Sequence, residues 1–218
     1  MSPVKRWLCL WLALLAGPAQ ALQVIGTATD LASGELRYTE HHRCDPSGQA
    51  CSVEYRDAGG QLFARKRIDY SDSRNAPRLV FQDLRLGQTT RVGEQRDDAL
   101  VVDAGFDNYV RQHWDDLAGG AVIRFPFLVA GREEPLQMRA QRQQDEACPP
   151  QRLCLDVSLD NWLISMLADP IRLQYDLATR RLLQFSGLSN IRDSGGDSLS
   201  VRIDYRYPPS QPPTDDLS

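Results

Sequence analysis

Residues 51–70 read CSVEYRDAGGQLFARKRIDY and carry the clearest structural signal in this chain. Val53 and Tyr55 alternate with polar residues before DAGG at 57–60, a sequence typical of a tight turn. The segment QLFARKRIDY then runs back, so residues 51–70 predict a β-hairpin. Antiparallel β-structure is therefore our starting expectation for the whole chain.

Short stretches with the same alternation recur between turn residues along the chain. Pro126 in one of them, AVIRFPFLVA, indicates an edge or a bulge because proline cannot donate to a ladder of hydrogen bonds. FSGLSNIRD at 185–193 predicts a strand with a bulge, followed by a turn. About ten or eleven strands at this spacing indicate a sandwich, a barrel or a curved sheet. The further strand-like stretches are 34–42, 77–86, 100–102, 121–130, 134–144, 152–158, 170–177, 180–185 and 198–207.

Two segments break the strand pattern and predict short helices. Apolar residues in 105–117 and 159–167 recur at spacings of three and four, which places them on one helix face. Core packing is the simplest interpretation of these stripes, and the alternative is that they also line a cavity for an apolar ligand. The candidate ligand-binding residues in the stripes are Phe106, Tyr109, Trp114, Trp162, Leu163 and Met166.

The predicted fold is mainly β. We expect a strongly curved antiparallel sheet or half-barrel of about ten strands, with the two short helices packed on its concave face. Residues 22–207 form a single domain in this interpretation, because no linker divides them. Residues 208–218 are rich in proline and predict a disordered tail.

The first 21 residues have the layout of a secretory signal peptide. Lys5 and Arg6 precede an apolar run at 7–16, and Ala19-Gln20-Ala21 forms an A-x-A cleavage site. The apolar run is too short to cross a bilayer, which takes about 20 residues. We therefore predict a cleaved signal, a periplasmic location and no transmembrane segment after cleavage.

Four of the five cysteines remain once the signal is removed. Cys44 and Cys51 are separated by seven positions, and Cys148 and Cys154 by six. An even number in two close pairs favours disulfides in an oxidising compartment. Of the three connectivities, the local one is favoured because turn-forming residues lie inside both small loops. Spacings of six and seven do not match structural zinc sites, so no metal is expected.

Charge and motifs exclude several classes of function. The formal net charge is −4 and becomes −6 without Lys5 and Arg6, whereas nucleic-acid binders normally carry a basic surplus. We therefore expect no nucleic-acid partner. The sequence contains no P-loop, dinucleotide fingerprint, haem motif or calcium loop, so we expect no cofactor.

Residues suited to catalysis are few. His41 and His42 are adjacent in a strand and therefore point to opposite faces. His113 lies beside Asp115 and Asp116, but no serine lies in a G-x-S-x-G nucleophile elbow. Ser189 comes nearest, in GLSNI at 187–191, where isoleucine replaces the second glycine. We therefore expect no catalytic residues and no enzyme activity.

The layout resembles the periplasmic lipoprotein-carrier (LolA/LolB-like) superfold. The resemblance rests on the helix LDNWLISML at 159–167, the hairpin IRLQYDLATRRLLQF at 171–185 and the strand LSVRIDYRY at 199–207. It implies a curved sheet wrapped around short helices, with acyl chains held between them. VVDAGFDNYVRQHWDDL at 101–117 and FSGLSNIRD also resemble signatures of a secreted proteobacterial family of uncharacterised activity.

Three interpretations of function follow. The first is a non-enzymatic binder or carrier of an apolar or lipid-like ligand in the periplasm. The second is an envelope structural or protein-interaction module with a solid core, which implies an envelope protein as partner. The third is a hydrolase using His113, which is weakened because no nucleophile motif accompanies that histidine.

Overall fold

The computed structural model of this protein describes residues 22–93, 100–143, 148–161, 169–193 and 195–208. The predicted signal peptide and the predicted tail beyond residue 208 lie outside these ranges. Among the described residues, no helix combines the length and the apolar character that crossing a bilayer requires.

The described chain forms a single mainly antiparallel sheet of thirteen strands, rather than the ten or eleven expected. The strand that the sequence analysis missed most clearly is β6, whose sequence QTTRV contains a single apolar residue. The strands are β1 (Leu22–Asp30), β2 (Leu36–Cys44), β3 (Ala50–Asp57), β4 (Leu62–Asp69), β5 (Arg78–Asp83), β6 (Gln88–Val92), β7 (Val101–Val102), β8 (Ile123–Leu128), β9 (Leu136–Arg142), β10 (Arg152–Leu159), β11 (Ile171–Asp176), β12 (Leu182–Arg192) and β13 (Ser198–Arg206).

The strand order is β6-β5-β4-β3-β2-β1-β13-β12-β11-β10-β9-β8-β7. The first and last strands pair in the middle of the sheet, with Ile25 opposite Arg206, and thereby join the two halves of the chain. The sheet is curved and nearly closed. A backbone hydrogen bond of 2.9 Å from Val102 N–H to the Asn75 carbonyl links the β7 end to the β4–β5 connection.

Local predictions for the strands hold well. Residues 51–70 contain the β3–β4 hairpin, with Val53 opposite Lys66. The register between β12 and β13 shifts between Leu188 and Arg192, which is the predicted bulge. Pro126 lies in β8, where the parallel partner β7 pairs with Phe127 and Leu128 alone, so proline occupies an unpaired stretch of edge.

The first predicted helix is present but divided. A 3₁₀ turn (Asp103–Gly105) leads into α1 (Phe106–Gln112), and α2 (Trp114–Ala118) follows. The chain leaves helical geometry at His113, which has φ −100° and ψ 24°. Both helices pack on the concave face of the sheet.

The predicted start of the second helix, at residue 159, is wrong. Leu159 is the last residue of β10, paired with Met138, and not the first residue of a helix. The pairing with β9 supplies backbone hydrogen bonds that extend the strand to this position. Residues 162–167 of the predicted helix, which include Trp162, Leu163 and Met166, lie outside the described residues.

Both predicted local disulfides are present. Cys44 and Cys51 are direct cross-strand partners at the end of the β2–β3 hairpin, with Cα atoms 4.1 Å apart. Cys148 and Cys154 join the segment before β10 to that strand, with Cα atoms 5.8 Å apart. Two disulfides fit a protein of an extracytoplasmic compartment.

Gly105 provides a test of how the sheet closes. A Cβ atom at this position would lie 1.9 Å from the Asn75 carbonyl oxygen, the same oxygen that accepts from Val102. We expect Gly105→Ala to lower the free energy of unfolding by about 2–3 kcal/mol, because backbone must move to admit the methyl group. Chemical denaturation measures this change.

The matched control is Gly59→Ala, in the β3–β4 turn. Its Cβ would meet a carboxylate oxygen of Asp57 at 3.3 Å, so this exposed side chain, which accepts hydrogen bonds from the Gly59 and Gln61 N–H groups, has to shift by only a few tenths of an ångström. An unchanged stability of Gly105→Ala would show that the closure contact tolerates displacement.

Candidate functional site

A large cleft lies at one end of the curved sheet. It has a volume of about 1170 Å³ and forms where β2, β4 and β6 finish and where β3 and β5 begin. The segment 128–133, which follows β8, forms the opposite wall. Drug-sized ligands occupy pockets of about 300–1000 Å³, so this cleft has room for a ligand of that size or larger.

The floor of the cleft is apolar because of strand register. Cys44 pairs with Cys51, Cys51 with Ile68, Ile68 with Leu79, and Leu79 with Val92. Directly paired residues share a face of a sheet. This single row therefore places the Cys44–Cys51 disulfide and three aliphatic side chains side by side on the concave face.

Leu128 faces the row from across the cleft. It is buried and belongs to the same apolar cluster as Ile68 and Leu79, with Val92 packed against that cluster. Val92 is only half-buried, so it borders the open volume. The cleft is thus a gap between the β6 edge and the end of β8, at the place where the sheet nearly closes.

A buried ion pair lies next to the apolar row, two residues further from the cleft along β4. Lys66 is two residues from Ile68 on the same face of β4, a separation of about 7 Å. Its Nζ lies 2.6 Å from Oδ1 of Asp103, and the two side chains are 6% and 8% exposed. Asn190 donates to the other oxygen of Asp103 at 2.8 Å. Both oxygens of this carboxylate are therefore satisfied.

Backbone conformation at Asp103 directs its carboxylate inward. Asp103 begins the 3₁₀ turn with φ 35°, in the left-handed region that non-glycine residues seldom adopt. Its hydrogen bonds to Lys66 and Asn190 offset this strain. Burial opposes the charge of Lys66, but the Asp103 carboxylate outweighs burial, so the pKa of Lys66 is raised.

Glu40 is a second buried acid in the interior. His42 Nε2 lies 2.8 Å from Glu40 Oε2, and the Tyr205 hydroxyl donates to the same oxygen at 3.3 Å. Gly26, on the strand between them, makes room for both groups, since its Cβ would lie 3.0 Å from the Tyr205 ring and 3.2 Å from that oxygen. Burial raises the pKa of Tyr205 well above its usual value, and Glu40 adds to the rise.

Asp107 behaves differently from Asp103, although both lie on the same segment. Arg111 Nη2 lies 2.6 Å from Asp107 Oδ2. Burial nevertheless raises the pKa of the Asp107 carboxyl, with Arg111 and Tyr175 opposing the rise. Burial also raises the pKa of Tyr175, and Asp107 adds to that rise. The charged form of Asp107 is therefore disfavoured in the folded protein.

This difference predicts that Asp107→Asn is well tolerated. A carboxyl with a raised pKa contributes less to stability as the pH rises from its unfolded value of 3.8 through its folded value. We expect the free energy of unfolding of Asp107→Asn at pH 7 to lie within about 1 kcal/mol of wild type. We also expect the variant to be more stable relative to wild type at pH 7 than at about pH 4.

Urea denaturation of both proteins at the two pH values measures the difference. A relative stability of the variant that increases on acidification would contradict the assignment, because it would mean that ionised Asp107 stabilises the fold.

The predicted ligand-binding residues that the structure describes lie in an aromatic cluster away from the cleft. Phe106 stacks on Phe125 with ring centroids 5.4 Å apart, and Tyr109 lies 4.9 Å from the same ring. Trp114 is buried against Tyr175 at 5.9 Å. These helices pack against β8–β11, and their role toward a ligand stays a prediction.

His113 lies at the break between α1 and α2. Its Nδ1 is 3.7 Å from Asp116 Oδ2, and its ring lies 4.5 Å from that of Tyr109. Within the described ranges, no serine hydroxyl is hydrogen-bonded to this histidine. Ser189 instead bonds the Tyr38 hydroxyl at 3.0 Å in the interior.

Sequence reasoning missed the cleft and the ion pair for the same reason. Each combines residues that are far apart in the chain, such as Lys66, Asp103 and Asn190. One signal was available: Lys66 is the only lysine after residue 21, and strand alternation places it on the buried face of β4.

Neither a family model nor a curated protein sequence matches this chain. Among solved structures, the chain is similar to a DUF1329 family protein from Desulfovibrio piger. The two are 10% identical, and the match covers 86% of this chain and 84% of that chain with a TM-score of 0.27.

Proposed function

We propose that this protein is a periplasmic, non-enzymatic binder or carrier of an apolar or lipid-like ligand. The observation that carries the proposal is the cleft of about 1170 Å³ whose floor is the aliphatic row Ile68, Leu79 and Val92. Ligand sites are typically concave and mostly apolar, with a few polar groups nearby. The cleft is concave, the aliphatic row forms its floor and charged side chains border it. It opens at an end of the sheet where a ligand can enter.

The position of the buried charges supports a binding role over a catalytic one. Lys66 and Asp103 neutralise each other 2.6 Å apart, and Asn190 occupies the remaining oxygen. A general acid or base needs a free position beside the reacting atom. The pair instead lies about 7 Å beyond the apolar row, outside the residues that line the cleft.

Two independent features support the periplasmic compartment in this proposal. The first is the signal-peptide layout of residues 1–21, which would direct the chain across the inner membrane. The two disulfides suit an oxidising environment, and the Cys44–Cys51 bridge is itself part of the cleft wall. A carrier in this compartment would shield the apolar part of its ligand from water.

Direct measurement of a ligand tests the proposal. We expect native mass spectrometry of protein purified from its own envelope to detect a bound lipid. We also expect titration with a dansyl-labelled fatty acid to give saturable binding, with emission shifted to shorter wavelength as the probe leaves water. Absence of both a bound lipid and probe binding would overturn the proposal and favour the envelope interaction module.

A further inference from the structure

The convex face of the sheet carries a surplus of arginine. Arg43 pairs with Ser52, Ser52 with Arg67, Arg67 with Val80, and Val80 with Arg91, so these residues form one row across β2–β6. Strands lie about 4.8 Å apart, which spaces the three arginines about 10 Å from one another. All three are exposed to solvent.

A second row runs beside the first. Arg206 pairs with Ile25, which pairs with His41, and the row continues through Glu54 to Arg65. Arg65 and Arg67 are two residues apart on one face of β4, so the rows lie about 7 Å apart. We call the exposed residues Arg43, Arg65, Arg67, Arg91 and Arg206 the arginine face.

The acids that strand alternation places on this side are already paired with other arginines. Their partners are at 2.7 Å (Arg56–Glu54), 2.8 Å (Arg78–Asp69) and 3.1 Å (Arg202–Asp204). The five members of the arginine face form no ion pair with any described residue.

Arginines surround Glu54 at the centre of this surface. The hydrogen bond from Arg56 lowers the pKa of Glu54, and Arg65 and Arg43 lower it further. Fixed charges act within about 8 Å at physiological salt, so an approaching surface meets this local field and not the net charge of −4.

We infer that the arginine face docks the protein on the surface of a bilayer that contains anionic phospholipids. Arginine binds phosphate through two parallel hydrogen bonds. A single phosphate can contact neighbouring arginines but not the whole face, which spans about 20 Å of exposed sheet. A bilayer presents many phosphates in one plane, so it can meet arginines of neighbouring strands at the same time.

This inference does not require the cleft to bind a ligand. The side chains of the face belong to the alternate residues of the same strands and therefore point away from the apolar row. Arg43, Arg67 and Arg91 also border the open end of the cleft. Each basic residue near an anionic bilayer strengthens binding by about fivefold. Three arginines therefore strengthen binding of the protein to the anionic bilayer on the order of 100-fold.

Vesicle co-sedimentation tests the inference. The probe is a vesicle of phosphatidylglycerol and phosphatidylcholine in equal parts, with pure phosphatidylcholine for comparison. We expect the mature protein to sediment with the anionic vesicle at about 0.01 M salt and to be released at about 1 M, where the Debye length falls to about 3 Å. The neutral vesicle should bind little.

A triple substitution locates the contact. We expect Arg43→Gln/Arg67→Gln/Arg91→Gln to bind the anionic vesicle on the order of 100-fold more weakly. The control, Arg124→Gln/Arg142→Gln/Arg172→Gln, removes the same charge from β8, β9 and β11 and should bind like wild type. All six side chains are exposed, and thermal unfolding reports whether each variant is folded.

Three results would overturn the inference. The first is that wild type fails to sediment with the anionic vesicle at low salt. The second is an equal loss in both triple variants, which would assign the attraction to net charge. The third is binding of a short DNA duplex without vesicle binding, which would assign the face to nucleic acid.

Discussion

Lys66→Met is expected to lower the free energy of unfolding by about 3–5 kcal/mol, the largest effect of any single substitution considered for this protein. The substitution leaves the Asp103 carboxylate buried without its partner, and Asn190 alone cannot compensate for the charge. Chemical denaturation near neutral pH measures the loss.

An exposed ion pair on a nearby strand is the matched control. Arg78 and Asp69 are 2.8 Å apart, but their side chains are 52% and 46% exposed, against 6% and 8% for Lys66 and Asp103. Water screens such a pair, so Arg78→Met should cost less than about 1 kcal/mol. Equal losses of unfolding free energy in Arg78→Met and Lys66→Met would show that burial does not set the contribution of the ion pair.

The double variant separates pairing from packing. Lys66→Met/Asp103→Asn removes both charges. Its loss of unfolding free energy should therefore be smaller than the sum of the losses in the two single variants. The pair also has a pH signature. Because the folded pKa of Lys66 is raised above 10.5, its stabilisation is fully present below that value and is lost as the pH rises through the folded pKa.

Val92→Trp is expected to weaken binding of a fatty-acid probe at least tenfold while leaving the fold intact. Val92 is half-buried at the edge strand β6 and borders the cleft beside Leu79. An indole in place of the isopropyl group fills volume that the ligand requires. Fluorescence titration with the dansyl-labelled fatty acid measures the change.

The control introduces the same side chain elsewhere. Leu188→Trp replaces a residue that is 60% exposed on β12, outside the residues that line the cleft. It should bind the probe like wild type. If Val92→Trp is folded and binds normally, the ligand lies elsewhere, and the aromatic cluster of Phe106, Tyr109 and Trp114 becomes the next site to examine.

The sequence predicted those parts of the fold that depend on neighbouring residues. Alternation and turn residues identified the hairpin at 51–70 and the bulge in 185–193, and cysteine spacing identified both local disulfides, because each involves residues that are close in the chain. It failed at β6, where QTTRV has too little apolar character, and at His113, where one helix becomes two.

The candidate site could not be predicted from the sequence pattern. The apolar row of the cleft needs the registers of four strand pairs, and a shift of one residue in any of them would move a side chain to the other face. The ligand-binding prediction instead followed helix periodicity, which detects apolar stripes but cannot distinguish a core-packing stripe from a cavity lining.

The sequence by itself determined an antiparallel β protein with two local disulfides, since cysteine spacing and alternation are local properties, and its signal-peptide layout stays a prediction. Only the tertiary structure decided that β1 pairs with β13, that Lys66 meets Asp103, and that arginines of β2, β4 and β6 form one row. Pairing between distant strands depends on how the whole sheet curves and closes, and no local periodicity encodes that geometry.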